Sequence, residues 1–369
     1  MKTRLTHVVA ARPNFPKVAP VLKALDSYVL DQRLVHTGQH YDANLSNVFF
    51  KQLNIRKPDA HLGIGSASQS QQTSNAMMAL ENEFRENRPD GVVVYGDTNS
   101  ALAAGLVASK LHIPIIHVEA GLRSFDRSMP EEVNRVVIDH IADLHLVTCK
   151  DAMENLTTEG LSQDSIRLVG NPMIDTLMAS LKRTQTRSRT GIVGLPERYV
   201  VVTLHRPSNV DQAEQITEIV SAIHRVADLH PVIFPLHPRG RRALLSAGLD
   251  SHPNVRVVES LGYLEFVALI RHAWAVVTDS GGVQEETSVL GVPCFTLREN
   301  TERPVTISQG TNMLTNPQDL ARDLENRLSN YLRATPTIEL WDGHAGPRIA
   351  KAIVDFMSSQ AFIPQVITQ

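Results

Sequence analysis

Three carboxylates follow short apolar runs in the first half of this chain. Asp97 stands in Tyr95-Gly96-Asp97-Thr98-Asn99, Glu119 in His117-Val118-Glu119-Ala120-Gly121 and Glu131 in Met129-Pro130-Glu131-Glu132. Packing does not explain acids that end apolar strands; gathered around one carbon, they could hold negative charge and move protons. Each also has a plainer reading. Asp97 could cap the next helix, and Glu131 could be a first-turn acid after a proline at the first helical position. Glu131, Asn134 and Arg135 also share a helix face, which would suit an internal ion pair.

The second half offers the complementary chemistry. In Thr278-Asp279-Ser280-Gly281-Gly282-Val283-Gln284-Glu285-Glu286 an apolar strand ends, two glycines permit close backbone approach, and a helix begins. The free N–H groups and positive dipole end of such a helix suit a diphosphate. Glu286, one turn in, could hold ribose hydroxyls. The plainer reading makes Asp279 or Ser280 a helix cap. His205 and Arg206, in Thr203-Leu204-His205-Arg206-Pro207, also follow a strand and could bind a diphosphate or serve a leaving group. Arg12 and Lys17 follow the first strand, where an Arg fork and a Lys point charge can approach phosphates. No Walker sequence is present, and Gly63-x-Gly65 lacks the third glycine of a dinucleotide fingerprint, so no nicotinamide cofactor is expected. No Cys/His cluster has zinc spacing, so no metal is expected either.

These residues need strands to carry them. Apolar runs near 5–10, 33–37, 91–95, 115–119, 144–148 and 166–169, then 199–203, 232–235, 255–258, 275–278 and 294–296, alternate with helix-like stretches such as 101–110 and 212–229. Continuous apolar strands alternating with helices predict parallel sheets covered on both faces. The polar segment 182–196, KRTQTRSRTGIVGLP, breaks the rhythm and reads as a connection between domains. The expectation is an α/β protein with two Rossmann-like, doubly wound domains, 1–181 and 182–346, facing a cleft. A C-terminal helix within about 347–369 could pack back on the first domain. In such sheets ligands sit beyond the carboxyl ends of the strands, where the informative residues lie.

The totals agree with that plan. A chain of 369 residues with 42% hydrophobic and 20% charged residues can bury two cores. A formal net charge of −3 with dispersed basic residues suggests no nucleic-acid partner. Cys149 and Cys294, the only cysteines, adjoin apolar runs and read as buried thiols of a reducing compartment, hence a cytoplasmic protein. No signal peptide and no membrane-crossing run are read; a span needs roughly 20 apolar residues.

Taken in order, these segments resemble the bacterial UDP-N-acetylglucosamine 2-epimerase family, with its two-domain GT-B-type fold. The resemblance runs from Arg12-Pro13 to Thr301-Glu302-Arg303-Pro304 and is most specific at Thr37-Gly38-Gln39-His40-Tyr41-Asp42, Gly96-Asp97, His117 to Arg123, Pro130 to Arg135 and Ser280 to Glu286. It implies that Asp97, Glu119, Glu131 and His205 fall on catalytic positions. It implies diphosphate contacts at Arg12, Ser280, Gly281, Gly282 and His205, with Arg206 beside them. Glu286 matches a ribose-binding acid and Phe266 the place where uracil packs. Gln39, Lys17, Gln72, Arg135 and Arg303 match further substrate-site positions. The reaction implied is elimination of UDP across C1–C2 and its re-addition after C2 is protonated on the other face, by a homodimer that needs no cofactor.

Departures bear on regulation and substrate. The usual Gly-Thr before Arg-Pro is Ala10-Ala11 here. Non-hydrolysing members carry an allosteric UDP-N-acetylglucosamine site built partly from a Gln and an Arg, where this chain has Asp42 and Gln71; the site is expected to be absent or altered. The stretch 41–73 also resembles relatives acting on UDP-2,3-diacetamido-2,3-dideoxy-glucuronate. A hydrolysing 2-epimerase is disfavoured because Arg12 is followed by Pro-Asn-Phe, and a GT-B glycosyltransferase would not require the three acids.

Overall fold

The computed structural model describes residues 2–38, 43–236, 240–329 and 331–360. Gln39 and Asp42 lie outside them. The chain divides into two compact units, Met1–Thr176 with Glu339–Gln369, and Leu177–Ile338.

The first unit is built on seven strands: β1 (Thr3–Val9), β2 (Leu30–His36), β3 (Ala60–His61), β4 (Gly91–Tyr95), β5 (Ile115–Ala120), β6 (Leu144–Val147) and β7 (Ile166–Leu168). They form one parallel sheet in the order β3-β2-β1-β4-β5-β6-β7. Every residue of β4 and β5 is buried, as a sheet covered on both faces demands. Val8, Val92 and Val94 pack on one face with Leu80, Phe84 and the alanines of helix Asn99–Lys110. Order reverses beside β1, so the loops after β1 and β4 diverge and leave a crevice at their carboxyl ends.

The first unit is completed by residues that follow the second. Helix Ala345–Gln360 packs on helix Phe15–Leu25. Its first turn is tied down by Asp175, whose carboxylate accepts from the N–H groups of Ala345 (3.0 Å) and Gly346 (2.7 Å). Trp341 Nε1 donates to the carbonyl of Thr148 at 3.0 Å.

The second unit repeats the plan with β8 (Val200–Thr203), β9 (Val232–Pro235), β10 (Val255–Val258), β11 (Ala275–Thr278), β12 (Cys294–Leu297) and β13 (Asn312–Thr315), ordered β10-β9-β8-β11-β12-β13. Here the order reverses between β8 and β11, whose last residues, Thr203 and Thr278, are paired. The segment 182–196 forms 3₁₀ turns at Lys182–Thr184 and Arg187–Thr190 that pack against helix Tyr263–Arg271. Both cysteines are buried free thiols. Among the described residues no helix is long and apolar enough to cross a membrane.

Candidate active site

The first unit gathers acids and cations at the ends of β1, β4 and β5. Pairing of β5 with β6 slips between Val118 and Ala120, and Glu119 sits on that bulge with φ of 71°, a conformation side chains rarely adopt. The bulge re-aims its carboxylate at Lys17 Nζ, and the two form a buried ion pair. Gly96 (φ 65°) makes room for them. A Cβ there would lie 2.8 Å from Glu119 Oε2 and 3.1 Å from Lys17 Nζ. Asn14 locks the loop after β1: its side-chain oxygen accepts from the N–H groups of Ala10 and Ala11, and its Nδ2 donates to the Tyr95 carbonyl at 2.9 Å. His117 links Asp139 Oδ1 (2.7 Å) to the Gly96 carbonyl (2.9 Å), bracing the turn from below.

Asp97 is not the helix cap. Thr98 is, accepting from Ala101 N–H, which leaves the Asp97 carboxylate to Arg135. Arg135 is buried and Asp97 is 27% exposed, so a hidden cation presents a reachable acid. The ion pair within helix Pro130–Ile141 involves Glu132, not Glu131: Arg135 Nη1 lies 2.6 Å from Glu132 Oε2. Glu132 in turn accepts from Ser124 N–H, Ser124 Oγ and Phe125 N–H, each at 2.9 Å. Phe125 is left with φ of 59° and 77% exposure. Glu131 is half-buried on the first turn, and its carboxylate makes no hydrogen bond or ion pair with the described residues. Gln72 lies further off. Its Oε1 accepts from Asn99 Nδ2 (2.8 Å) and its Nε2 donates to the Gly65 carbonyl (3.1 Å), while Asn99 connects through Asn134 to the Asp97 carbonyl. Gln71 is exposed on the first turn of helix Gln69–Glu86. Arg12 is half-buried in the turn Arg12–Asn14.

In the second unit the burial is inverted. Asp279 is fully buried, and its carboxylate accepts from the N–H groups of His205 (3.0 Å) and Arg206 (2.9 Å) and from Asn209 Nδ2 (3.0 Å). His205 Nδ1 stands 2.9 Å from Asp279 Oδ1, with the His205 side chain 41% exposed. Burial would raise the Asp279 carboxyl, but these donors, His205 first, hold it down to about 2. Ser280 occupies the cap position of helix Gly281–Leu290 without a capping side-chain bond.

A cluster of arginines lies beside this turn. Buried Glu302 meets Arg298 (2.8 Å), Arg303 (2.5 Å) and Arg206 (3.4 Å), and Arg303 Nε reaches Glu285 at 2.7 Å. Gly281 accommodates this packing, since a Cβ there would meet Arg303 Nη1 at 2.3 Å. Three arginines against two glutamates leave the cluster net cationic next to a helix N-terminus, which suits an anion. Glu286 is buried and accepts from Tyr263 Oη at 2.9 Å. Burial pushes its carboxyl up to about 7, against the Tyr263 hydrogen bond and helped by Glu285. Phe266, on the same helix as Tyr263, is half-buried against the core formed by Val201, Ile233 and Val276.

The structure thus groups Lys17, Asp97, Glu119 and Arg135 in one unit, and His205, Arg206, Ser280, Gly281, Gly282, Glu286 and Arg303 in the other. The residues missed in the sequence are Glu132, Glu302 and Arg298, together with the grip of Asp279 on His205. No local spacing announces that grip, because its partners lie 74 positions apart. Among the described residues no group of three His, Cys, Asp or Glu side chains could hold a metal ion.

Comparison with known proteins bears on both units. The family profile of UDP-N-acetylglucosamine 2-epimerase matches residues 23–354. The chain is 39% identical over 365 residues to the UDP-N-acetylglucosamine 2-epimerase of Methanocaldococcus jannaschii, covering 95% of this chain and 98% of that one. It is 40% identical over 317 residues to the UDP-2,3-diacetamido-2,3-dideoxy-D-glucuronate 2-epimerase of Pseudomonas aeruginosa, covering 84% and 88%. The crystal structure of the M. jannaschii enzyme in complex with UDP-GlcNAc and UDP superposes with a TM-score of 0.91 at 39% identity, covering 96% of this chain and 100% of that one.

Proposed function

The chain belongs to the UDP-N-acetylglucosamine 2-epimerase family, and on that premise we propose that it inverts C2 of UDP-N-acetylglucosamine to give UDP-N-acetylmannosamine without hydrolysis. The C2 proton of this sugar is not acidic, because no carbonyl flanks that carbon. Removal therefore has to be coupled to loss of the group on C1. A carboxylate of the first unit takes the C2 proton, the C–H electrons become the C1=C2 double bond, and the C1–O electrons leave with the β-phosphate of UDP. Return of a proton to the opposite face of C2 and attack of the β-phosphate oxygen on C1 complete the inversion. Nothing is oxidised and no water is consumed.

The observation that carries this reading is Glu119, held at φ 71° on a bulge and paired with buried Lys17 beside Asp97. Nothing in the packing of a doubly wound sheet calls for a strained acid there; proton transfer at a bound sugar does. Asp97, Glu119 and Glu131 share the proton work. His205, Arg206, Arg12 and the Ser280-Gly281-Gly282 turn take the diphosphate, and Lys17, Arg135 and Arg303 set the charges around them. Glu286 holds ribose hydroxyls and Phe266 packs the uracil; Gln72 and Gln39 belong to the sugar side. The enzyme acts in the cytoplasm as a homodimer. The Pseudomonas relative supports a second substrate, the diacetamido-uronate, which shares UDP and the 2-acetamido group.

Incubation with UDP-N-acetylglucosamine in heavy water tests this. The expected product is the manno nucleotide with deuterium at C2. Free N-acetylmannosamine would make the enzyme hydrolytic, and absence of both exchange and product would move the reading to the diacetamido-uronate. With Asp42 and Gln71 at two family effector positions, velocity should rise hyperbolically with substrate. A sigmoidal rise, or activation of turnover of another substrate by trace UDP-N-acetylglucosamine, would show that the effector site survives.

A further inference from the structure

The reading of His205 leaves open what makes an ordinary imidazole competent, and the end of β11 answers it. Thr203 and Thr278 pair across β8 and β11, so the residues just beyond them, His205 and Asp279, come side by side where the sheet order reverses. Buried Asp279 spends both carboxylate oxygens on this one loop. Oδ2 takes the Arg206 N–H and Asn209 Nδ2, Oδ1 faces His205 Nδ1, and the His205 N–H lies between them.

We propose that Asp279 is a positioning residue for catalysis, holding His205 with its neutral-state proton on Nδ1 so that Nε2 is the ring atom presented to the departing diphosphate. An ionised carboxylate only accepts, so a ring nitrogen at 2.9 Å from it must be an N–H. Nε2, on the opposite side of a side chain that is 41% exposed, is then the atom that takes up a solvent proton before turnover, donates it to the β-phosphate oxygen as the C1–O bond breaks and takes it back when that oxygen re-attacks C1. Among the described residues Asp279 faces the ring, and Arg206 is turned away from it, its Nε donating to the Asp279 carbonyl and its Nη2 reaching Glu302. This proposal rests on His205 serving the diphosphate.

The geometry dictates what an amide would do in place of the carboxylate. In Asp279→Asn the NH2 group cannot take the place of Oδ2, since the Arg206 N–H that faces it there can only donate. It must turn toward His205 Nδ1, which can switch from donor to acceptor, because the Arg206 backbone N–H can only donate. The backbone bonds survive and the ring is driven to the Nε2–H tautomer.

Two measurements on the full-length protein test this. Ring 15N spectra of histidine-labelled enzyme, with His205 assigned by its loss in His205→Gln, should show the proton on Nδ1 in the neutral wild-type ring and on Nε2 in Asp279→Asn. In turnover of UDP-N-acetylglucosamine, Asp279→Asn should lower kcat by about 100-fold with KM within about threefold, the scale of general acid–base help. The double variant should be no slower than His205→Gln alone. A wild-type ring protonated on Nε2 overturns the proposal whether or not Asp279→Asn folds. So does a double variant that loses the full product of the two single effects, which would make Asp279 merely structural. Full activity of His205→Gln overturns it through the reading it rests on, and the tautomer spectrum then shows that the role of His205, not its geometry, was misassigned.

Discussion

The two units share one topology and use it with opposite polarity. At the end of β4, buried Arg135 holds Asp97, which keeps 27% of its side chain exposed. At the end of β11, buried Asp279 holds His205, which keeps 41%. One sheet presents an acid by hiding a base, and the other presents a base by hiding an acid. A buried charge is tolerated only when paired and hydrogen-bonded, and each unit turns that requirement into the aiming of a partner. Lys17 and Glu119 are the exception, since both are buried, and there the backbone supplies the aim through the bulge.

The largest expected effect tests the acid-presenting side. Asp97→Asn keeps the shape and removes the charge, so deuterium exchange at C2 should fall by at least about 10³-fold while UDP affinity, measured by calorimetry, stays within about threefold. Exchange at the wild-type rate would remove Asp97 from the mechanism. On the other side, Gly281→Ala drives a Cβ to within 2.3 Å of Arg303 Nη1 and should displace the arginine cluster. UDP affinity is expected to drop about 30–100-fold, the scale of an overpacking cost of about 2–3 kcal/mol. Unchanged affinity would separate the cluster from the nucleotide. If either variant reproduced the other's phenotype, the division between the units would be wrong.

The third prediction sharpens the contrast through pH. Glu286 has its folded-state value raised from 4.5 to about 7, so below pH 4.5 the folded and unfolded states are both protonated and nothing is lost. Between 4.5 and 7 the unfolded chain ionises first, and stability falls by about 3 kcal/mol, then levels off. Glu286→Gln should lack that decline, melting higher than wild type at pH 8 yet binding UDP more weakly. A variant that binds UDP as well as wild type would show that the acid is not a ribose ligand.

Much of the framework was legible because buried parallel strands advertise themselves. Val92-Val93-Val94 and Val200-Val201-Val202 have few other uses. Strands β3 and β13 went unread, one being two residues long and the other, Asn312-Met313-Leu314-Thr315, carrying no β-branched residue before its last. Acids ending strands were visible by type, and their plainer readings fared unevenly: Thr98 took the cap expected of Asp97 and Glu132 took the ion pair expected of Glu131, while Glu131 does stand as a first-turn acid after Pro130. What local spacing could not show was pairing across distance. Arg135 reaches back 38 positions to Asp97, and Asp279 reaches 74 to His205. Such contacts exist only once adjacent strands are in register.

The return of the chain to its starting unit sets the timetable of biosynthesis. Helix Phe15–Leu25 leaves the ribosome before the second unit, and the helix that packs on it, Ala345–Gln360, leaves after it. Until then the face of helix Phe15–Leu25 that Ala345–Gln360 covers stands open, while the second unit, Leu177–Ile338, has all its strands in hand. The unit begun before the other is therefore the one finished after it, and a chain whose second unit has just emerged carries that unit on an unfinished first, a natural client for chaperones.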